Sequence, residues 1–337
     1  RGAWAQSSQN LLKVEARPYP GKDPVMWDGV YAASNGKVYS GLITEGASAH
    51  FYVYDPQTES NKLLYDIANV AGARGKGVRT PGKIHNKPVE DDAGNIYFVP
   101  MNNGSGPRNI DFLSWEGGHW MRYEPHTGEL QSMGLVDEHV GCYPLTIDRE
   151  RKYLYGIGFN GYLYRFDIEE RQTTKLARVA NWDINRDIFC DDNGNVYGSF
   201  PVARVWKYDV QKEQVFDLDI RQPFDPTIFP TQLVNPMIDR SMDWRAIEWD
   251  PKGKVAYGIT CGSGNILFRF DTHKGPQGEI TPLTRMCDPK YWGTNQKNIP
   301  YAPLAFTVDS ENQKVYFVPS ARGYAIGEYA ETFGSEE

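Results

Sequence analysis

The chain has 337 residues, with 36 basic and 43 acidic side chains and a formal net charge of −7. This balance disfavours a nucleic-acid-binding surface, which needs a basic field to release counterions. The sequence contains no apolar run of the roughly 18 residues that cross a bilayer, so we expect neither nucleic acid nor membrane among its partners. Its 33 glycines, 22 prolines and 21 tyrosines instead fit many short strands joined by turns, with little helix.

A short phrase recurs along the chain: an acidic residue or Asn, a turn, and a strand that ends in tyrosine. The fourth copy, residues 191–197, reads DDNGNVY. The copies close at Tyr39, Tyr97, Tyr155, Tyr197, Tyr257 and Tyr316, at intervals of 58, 58, 42, 60 and 59 residues. Such a period indicates one repeated structural unit, which a β-sandwich does not require.

Each of the first five copies is followed by a second aromatic strand that ends in an acidic residue. These strands cover residues 52–55, 121–124, 164–167, 206–209 and 268–271, and the sixth copy has a blurred counterpart near 324–329. The pattern predicts the four-stranded blades of a β-propeller, packed around a central channel. We therefore predict an all-β fold with six countable repeats. A closed propeller absorbs this length, so residues 1–337 are expected to form a single domain.

The residues just upstream of each phrase lie where the innermost strand of a blade begins, at the mouth of the channel. Counting back from the turns places there His85 with Asn86, Tyr143, Arg186, Arg245 and Tyr301. Arginines bind a carboxylate through paired hydrogen bonds, while His and Tyr carry protons in either direction. This combination suits β-elimination beside a uronate carboxylate, because neutralising that carboxylate stabilises the enolate-like transition state.

Other chemistries fit the counted positions less well. They include no pair of carboxylates, which a glycoside hydrolase usually needs. The motifs G-x-S-x-G and H-E-x-x-H are absent, which disfavours an esterase and a zinc peptidase.

Structural roles compete with the functional ones at every position. A histidine in a strand is commonly a hydrogen-bonded structural residue, and this chain is rich in structural tyrosine. A channel-facing arginine often pairs with a nearby acid, such as Asp187 beside Arg186 or Asp243 beside Arg245. His119 follows two glycines that allow a turn, which can aim its ring at the pocket. The predicted substrate-binding set comprises Asn86, His119, His139, Arg245 and Tyr301.

Residues 83–130 resemble the second blade of propeller-fold polysaccharide lyases. The matching letters are KIH at 83–85, ED at 90–91, GNIYF at 94–98, GGH at 117–119, RYEP at 122–125 and TGEL at 127–130. The family comprises the ulvan lyases and the related L-rhamnose-α-1,4-D-glucuronate lyase that trims gum arabic side chains. The resemblance implies a seven-bladed propeller and an elimination in which His and Tyr move protons and Arg neutralises the uronate.

Carried over to this chain, the resemblance makes His85 and Tyr143 catalytic. The family's second histidine has no counterpart at residues 101–105, and its arginine has none at 156–161, so Arg186 or Arg245 would take that role. We assign Arg186 as the third catalytic residue. These departures favour rhamnose–glucuronate side chains over ulvan as the substrate. The prediction is a monomeric lyase without a cofactor; a glycoside hydrolase and a non-catalytic sugar-binding propeller stay open as alternatives.

Secretion is predicted from residues 3–5, which have the small-x-small form that signal peptidases cut. The four cysteines lack Cys-x-x-Cys spacing, so a closed metal site is not expected. Cys261 and Cys287 either pair within one blade or remain buried thiols like the others. A structural calcium ion is left open, because scattered oxygen ligands leave little trace in a sequence. The residues 11–15 are expected to add a strand to the last sheet and close the ring.

Overall fold

In the computed structural model of the protein, the described residues are 19, 26, 28–43, 48–102, 112–180, 187–199, 203–223, 244–260, 265–286 and 305–318. They form 24 strands, one four-residue helix, α1 (Ile67–Val70), and one short 3-10 helix (Phe112–Ser114). The fold is an all-β propeller, as the repeats predict. No helix in these ranges is both long and apolar enough to cross a membrane.

Five antiparallel four-stranded sheets form the blades. Blade 1 contains β1 (Val30–Ala32), β2 (Val38–Ile43), β3 (Ala49–Asp55) and β4 (Ser60–Asp66). Blade 2 contains β6 (Val89–Glu90), β7 (Ile96–Phe98), β9 (His119–Glu124) and β10 (Glu129–Leu135); beside it, β5 (Lys83–Ile84) pairs with β8 (Pro100–Met101). Blade 3 contains β11 (Cys142–Asp148), β12 (Tyr153–Gly158), β13 (Tyr162–Asp167) and β14 (Gln172–Arg178).

Blade 4 contains β15 (Phe189–Cys190), β16 (Val196–Ser199), β17 (Arg204–Asp209) and β18 (Gln214–Arg221). Blade 5 contains β19 (Trp244–Asp250), β20 (Val255–Thr260), β21 (Ile266–Asp271) and β22 (Glu279–Arg285). The sixth repeat forms a two-stranded sheet of β23 (Ala305–Asp309) and β24 (Lys314–Val318). The expectation of seven blades is therefore not confirmed. The predicted strand at 11–15, residues 324–329 and the Cys261 and Cys287 pair lie outside the described residues.

The recurring phrase is the turn between the first two strands of a blade. In blade 2, the Asp91 carboxylate accepts hydrogen bonds from the backbone N–H of Asn95 at 2.8 Å and from the Tyr97 hydroxyl at 2.9 Å. Gly94 takes a left-handed φ of +82° that glycine adopts without strain. Residues 191–197 repeat these bonds in blade 4. In these two copies the acid, the glycine and the tyrosine therefore close the same type of turn.

Aromatic side chains hold neighbouring blades together. Each of the four buried clusters combines residues of two adjacent blades. Between blades 1 and 2, the rings of Phe51 and Phe98 stack at 4.6 Å, and between blades 2 and 3 those of Trp120 and Phe166 stack at 5.2 Å. Burial of such rings is a main contribution to the stability of the fold. The same packing sets how neighbouring blades lie against one another, so that their first strands converge on the axis.

Candidate functional site

A cavity of about 440 Å³ lies where the first strands of the blades meet. Every repeat contributes to its wall, with side chains that include Asp28, Tyr31, His85, Lys87, Pro144, Asp187, Arg245, Glu248 and Phe306. Residues more than two hundred positions apart in sequence therefore face one space. The convergence follows from propeller geometry, since each blade places the start of its first strand at the axis.

Asp28 links blade 5 to the start of blade 1. Its carboxylate accepts three hydrogen bonds from Arg245: Nη2 donates to Oδ1 at 3.1 Å, and both Nη1 and Nη2 donate to Oδ2 at 3.2 Å. Oδ2 also lies 3.5 Å from Nδ1 of His85. Arg245 is only 4% exposed, so its charge is taken up by Asp28 inside the protein. The carboxylate suggested for Arg245 from sequence, Asp243, lies outside the described residues.

The structure brings together the two predicted proton carriers. The rings of His85 and Tyr143 meet edge to face, with centroids 4.5 Å apart and planes at 87°. Tyr143 makes a similar contact with Phe159, also at 4.5 Å. Tyr143 lies where the pairing of β11 with β12 shifts register between Cys142 and Leu145. Such an irregularity redirects a side chain, and here the phenol lies against the imidazole. Tyr143 itself is not among the residues that line the cavity, whereas the next residue, Pro144, is.

A second charge pair crosses the cavity. Nζ of Lys87, which precedes β6, lies 2.9 Å from Oε2 of Glu248 on β19. The same oxygen accepts the backbone N–H of Val308 at 3.2 Å, which ties β19 to β23. Lys87 and Glu248 retain about 30% of their side-chain exposure, and both line the cavity. The pair therefore belongs to the wall that a ligand would meet.

The carboxyl group of Asp187 has a raised pKa. Burial raises its pKa to about 7, and the nearby Asp28 and Glu248 carboxylates add to the rise, while the Ile247 amide and Lys87 oppose it. Its Oδ2 accepts the N–H of Ile247 at 3.0 Å. A carboxyl group with this pKa is partly protonated at neutral pH, so it can donate as well as accept a hydrogen bond.

The carboxyl groups of the cavity correct the sequence-based expectation. Counting from the turns found no pair of carboxylates, yet Asp28, Asp187 and Glu248 line the same space. The count omitted the first repeat, where Asp28 precedes β1 as His85 precedes β6. It also selected Arg186 instead of its neighbour, and it did not continue along β19 to Glu248.

Asn86 also reaches the cavity, but its amide bonds to the backbone. Nδ2 donates to the carbonyl oxygens of Val99 at 2.6 Å and Cys142 at 3.1 Å, while Oδ1 accepts the N–H of Val99 at 3.1 Å. These bonds connect blade 2 to blade 3. With 1% exposure, Asn86 holds the wall in place next to His85.

The other predicted residues lie elsewhere. His119 is on β9, where its ring nitrogens contact Ser132 at 2.6 Å and Glu116 at 2.9 Å, beside a separate pocket of about 90 Å³. His139 is in a turn with φ of +60°, and its Nδ1 contacts the carbonyl oxygen of Trp115. Neither lines the central cavity. Arg186 and Tyr301 lie outside the described residues.

The described ranges contain no group of three or more His, Cys, Asp or Glu side chains placed to hold a metal ion. Within the same ranges, Cys142 and Cys190 are buried thiols. Burial raises the pKa of both thiols, which keeps them protonated and unreactive. The ionisable side chains that line the cavity carry carboxyl, imidazole, phenol, ammonium and guanidinium groups.

No family model matches the chain, and no curated protein matches its sequence. Solved structures share the fold. One, from Bacteroides uniformis and provisionally assigned as a 6-phosphogluconolactonase, has a TM-score of 0.54 at 12% identity, covering 91% of this chain and 79% of that one. An auxiliary nutrient binding protein from Bacteroides thetaiotaomicron has a TM-score of 0.52 at 13% identity, covering 87% and 66%.

A structural genomics protein of unknown function from Bacteroides thetaiotaomicron has a TM-score of 0.51 at 11% identity, covering 78% of this chain and 60% of that one. The chain thus spans less than two thirds of the length of the two Bacteroides thetaiotaomicron proteins. Likeness at this level of identity establishes the propeller fold and nothing about activity.

Proposed function

We propose that the protein is a polysaccharide lyase that cleaves a glycosidic bond to a uronic acid by β-elimination, with rhamnose-α-1,4-glucuronate side chains as the substrate. The observation that supports this most directly is the ring contact of His85, which lines the central cavity, with Tyr143, together with Asp28 next to Nδ1 of the histidine. Secretion belongs to the same proposal, since the glycan is extracellular; a monomeric state is proposed with it.

Asp28 gives His85 a defined role. A carboxylate beside Nδ1 favours the tautomer that is protonated there, so that Nε2 carries the lone pair and acts as the base. His85 then takes the proton from C5 of the uronate, and the C–H electron pair forms the C4–C5 double bond as the bond from C4 to the glycosidic oxygen breaks. The Tyr143 hydroxyl protonates the departing oxygen, and the product is a 4,5-unsaturated uronate.

The first test is ultraviolet absorbance during incubation with uronate polysaccharides, including gum arabic and ulvan, together with mass analysis of the products. A growing absorbance of the unsaturated uronate is expected from gum arabic. Tyr143→Phe removes only the hydroxyl and keeps the ring that packs on His85 and Phe159. Its rate should fall by about 100-fold or more, the usual contribution of general acid catalysis, with an almost unchanged melting temperature.

Tyr153→Phe is the matched control, because this tyrosine packs against Tyr155 and Arg165 on β12 and β13, away from the cavity. It should retain the wild-type rate. If Tyr143→Phe turns over gum arabic as fast as Tyr153→Phe does, Tyr143 is not the acid and the assignment fails.

A glycoside hydrolase is the second candidate, and the three carboxyl groups of the cavity favour it. Hydrolysis needs one protonated and one ionised carboxyl group. Asp187, with its raised pKa of about 7, fits the acid, and Asp28 or Glu248 fits the base. Release of sugar without the unsaturated chromophore would establish hydrolysis, whereas no product from any polysaccharide would indicate a binding protein.

A further inference from the structure

The arginine and lysine of the cavity each form an ion pair with a carboxylate, and Asp187 belongs to neither pair. Arg245 is matched by Asp28 and Lys87 by Glu248. Within the described ranges, no cationic side chain lies within ion-pair distance of Asp187. An entering carboxylate would add a negative charge to this balanced space, and such a charge is costly to bury unless it is compensated.

We propose that Asp187, in its protonated form, receives the carboxylate of the acidic ligand bound in the central cavity. The inference rests on the proposed function, because it names the group that recognises the uronate. A neutral carboxylic acid donates a hydrogen bond to the ligand carboxylate, whereas ionised Asp187 would repel it. The resemblance gives this role to an arginine. Of the two candidates, Arg245 is already bonded to Asp28, and Arg186 lies outside the described residues.

The carboxyl group of Asp187 is held in position for this role. Its two oxygens accept the backbone N–H groups of Ile188 and Ile247, each at 3.0 Å. The backbone carbonyl oxygen of Asp187 accepts a hydrogen bond from the indole N–H of Trp244 at 2.7 Å. Each carboxyl oxygen has a second lone-pair site, so one can carry the proton without losing either backbone bond. The group is therefore preoriented and needs little reorganisation when a ligand enters.

Binding of a uronate must then be coupled to uptake of a proton. The charged and titratable groups that line the cavity with Asp187 are Asp28 before β1, Tyr31 on β1, His85 and Lys87 before β6, Arg245 and Glu248 on β19, and Tyr316 on β24. A bound carboxylate adds another like charge, which raises the pKa of Asp187 further above its value of about 7. By linkage, protonation of Asp187 strengthens uronate binding by the same factor.

Calorimetric titration with D-glucuronate tests this on the intact protein, with D-glucose as the uncharged control sugar. If only protonated Asp187 binds the carboxylate, the binding-competent fraction of the protein falls as Asp187 ionises with rising pH. The affinity for D-glucuronate should then drop about 30-fold between about pH 6 and pH 8.5. Asp187→Asn supplies a neutral donor at every pH, so this variant should keep its affinity at the higher pH. Asp219→Asn, a change at an exposed carboxylate on β18, should behave as wild type.

The wild type alone provides a second measurement that needs no variant to fold. Titrations in two buffers of different ionisation enthalpy report the protons taken up, and we expect close to one proton per D-glucuronate at about pH 8.5 and almost none at about pH 5. An affinity independent of pH, or a pH dependence that persists in Asp187→Asn, would overturn the assignment. A pH dependence that persists in Asp187→Asn would show that another titratable group, and not Asp187, takes up the linked proton.

Failure of this inference and failure of the lyase proposal give different results. Turnover of gum arabic with glucuronate binding that is unlinked to Asp187 leaves the lyase intact and removes the role of Asp187. Proton-linked binding without the unsaturated chromophore retains Asp187 as the carboxylate receptor and refutes elimination. Absence of any D-glucuronate binding removes the inference, since the cavity then does not accept a uronate.

Discussion

Asp28 is the residue that connects most of the described chemistry of the cavity. It holds the guanidinium of Arg245 and lies against Nδ1 of His85, although it is 217 positions from the arginine. His85, Tyr143 and Arg245 can be found by counting back from the repeated turns. The same count, applied to the first repeat, finds Asp28. Asp187 is harder to find, because neighbouring residues point to opposite faces and boundaries read from sequence are uncertain by a few positions.

Replacing Asp28 by alanine should destabilise the fold by about 3 to 5 kcal/mol, because it leaves the buried Arg245 charge without its carboxylate. The double variant Asp28→Ala, Arg245→Met should recover much of this loss, since it removes both charges. Urea denaturation of the two variants gives the comparison. Glu169→Ala, which breaks an ion pair with Lys152 that is exposed on both sides, should cost less than about 1 kcal/mol. A small effect of Asp28→Ala would mean that Arg245 finds another partner.

At the scale of the element, the second strands of blades 1, 3, 4 and 5 each carry a glycine opposite an aromatic residue of the third strand. The paired residues are Gly41 and Phe51, Gly156 and Tyr164, Gly198 and Trp206, and Gly258 and Phe268. In blades 4 and 5 the ring lies directly over the glycine, which leaves no room for a Cβ atom. The repeated phrase that ends in tyrosine predicts the strand, but the ring that covers each glycine depends on register and is known only from the structure.

Gly258→Ala should destabilise the protein by about 1 to 3 kcal/mol, the usual cost of overpacking. An added Cβ would lie 2.3 Å from the Phe268 ring, which must move. Phe268→Leu also destabilises, but the double variant should lose less than the sum of the two changes, because the smaller side chain accommodates the methyl group. Thermal unfolding of the four proteins completes this cycle. Strict additivity would show that the strand, and not the ring, absorbs the substitution.

At the scale of the whole molecule, the sequence predicts the propeller but not the number of its blades. The repeated turns are local, so their spacing reveals each unit, whereas closure of the ring depends on strands contributed by distant segments. The described residues contain five complete blades and the first two strands of the sixth repeat. The first strands of these units place Asp187 among groups from the other repeats, and its acidity is therefore a property of the assembled propeller.

This acidity should appear in the stability of the whole protein. The pKa of Asp187 is raised from 3.8 to about 7 on folding, so the folded state binds its proton more tightly than the unfolded state. The corresponding stability is fully present below about pH 4 and is lost as the pH rises through about 7. Relative to Asp187→Asn, which has no proton to lose, the wild type should therefore lose on the order of a few kcal/mol of unfolding free energy between about pH 4 and pH 8.

Urea denaturation of the wild type and Asp187→Asn across this pH range measures the difference, and Asp219→Asn, at an exposed carboxylate, supplies the curve for a change outside the cavity. Many other groups titrate in the same range, but they are common to the variants and cancel in the difference. Parallel curves for the wild type and Asp187→Asn would mean that Asp187 is already ionised in the folded protein at pH 4 and above. The cavity would then contain no protonated Asp187 near neutral pH. The negative charge of a uronate carboxylate would have to be compensated by a cation instead.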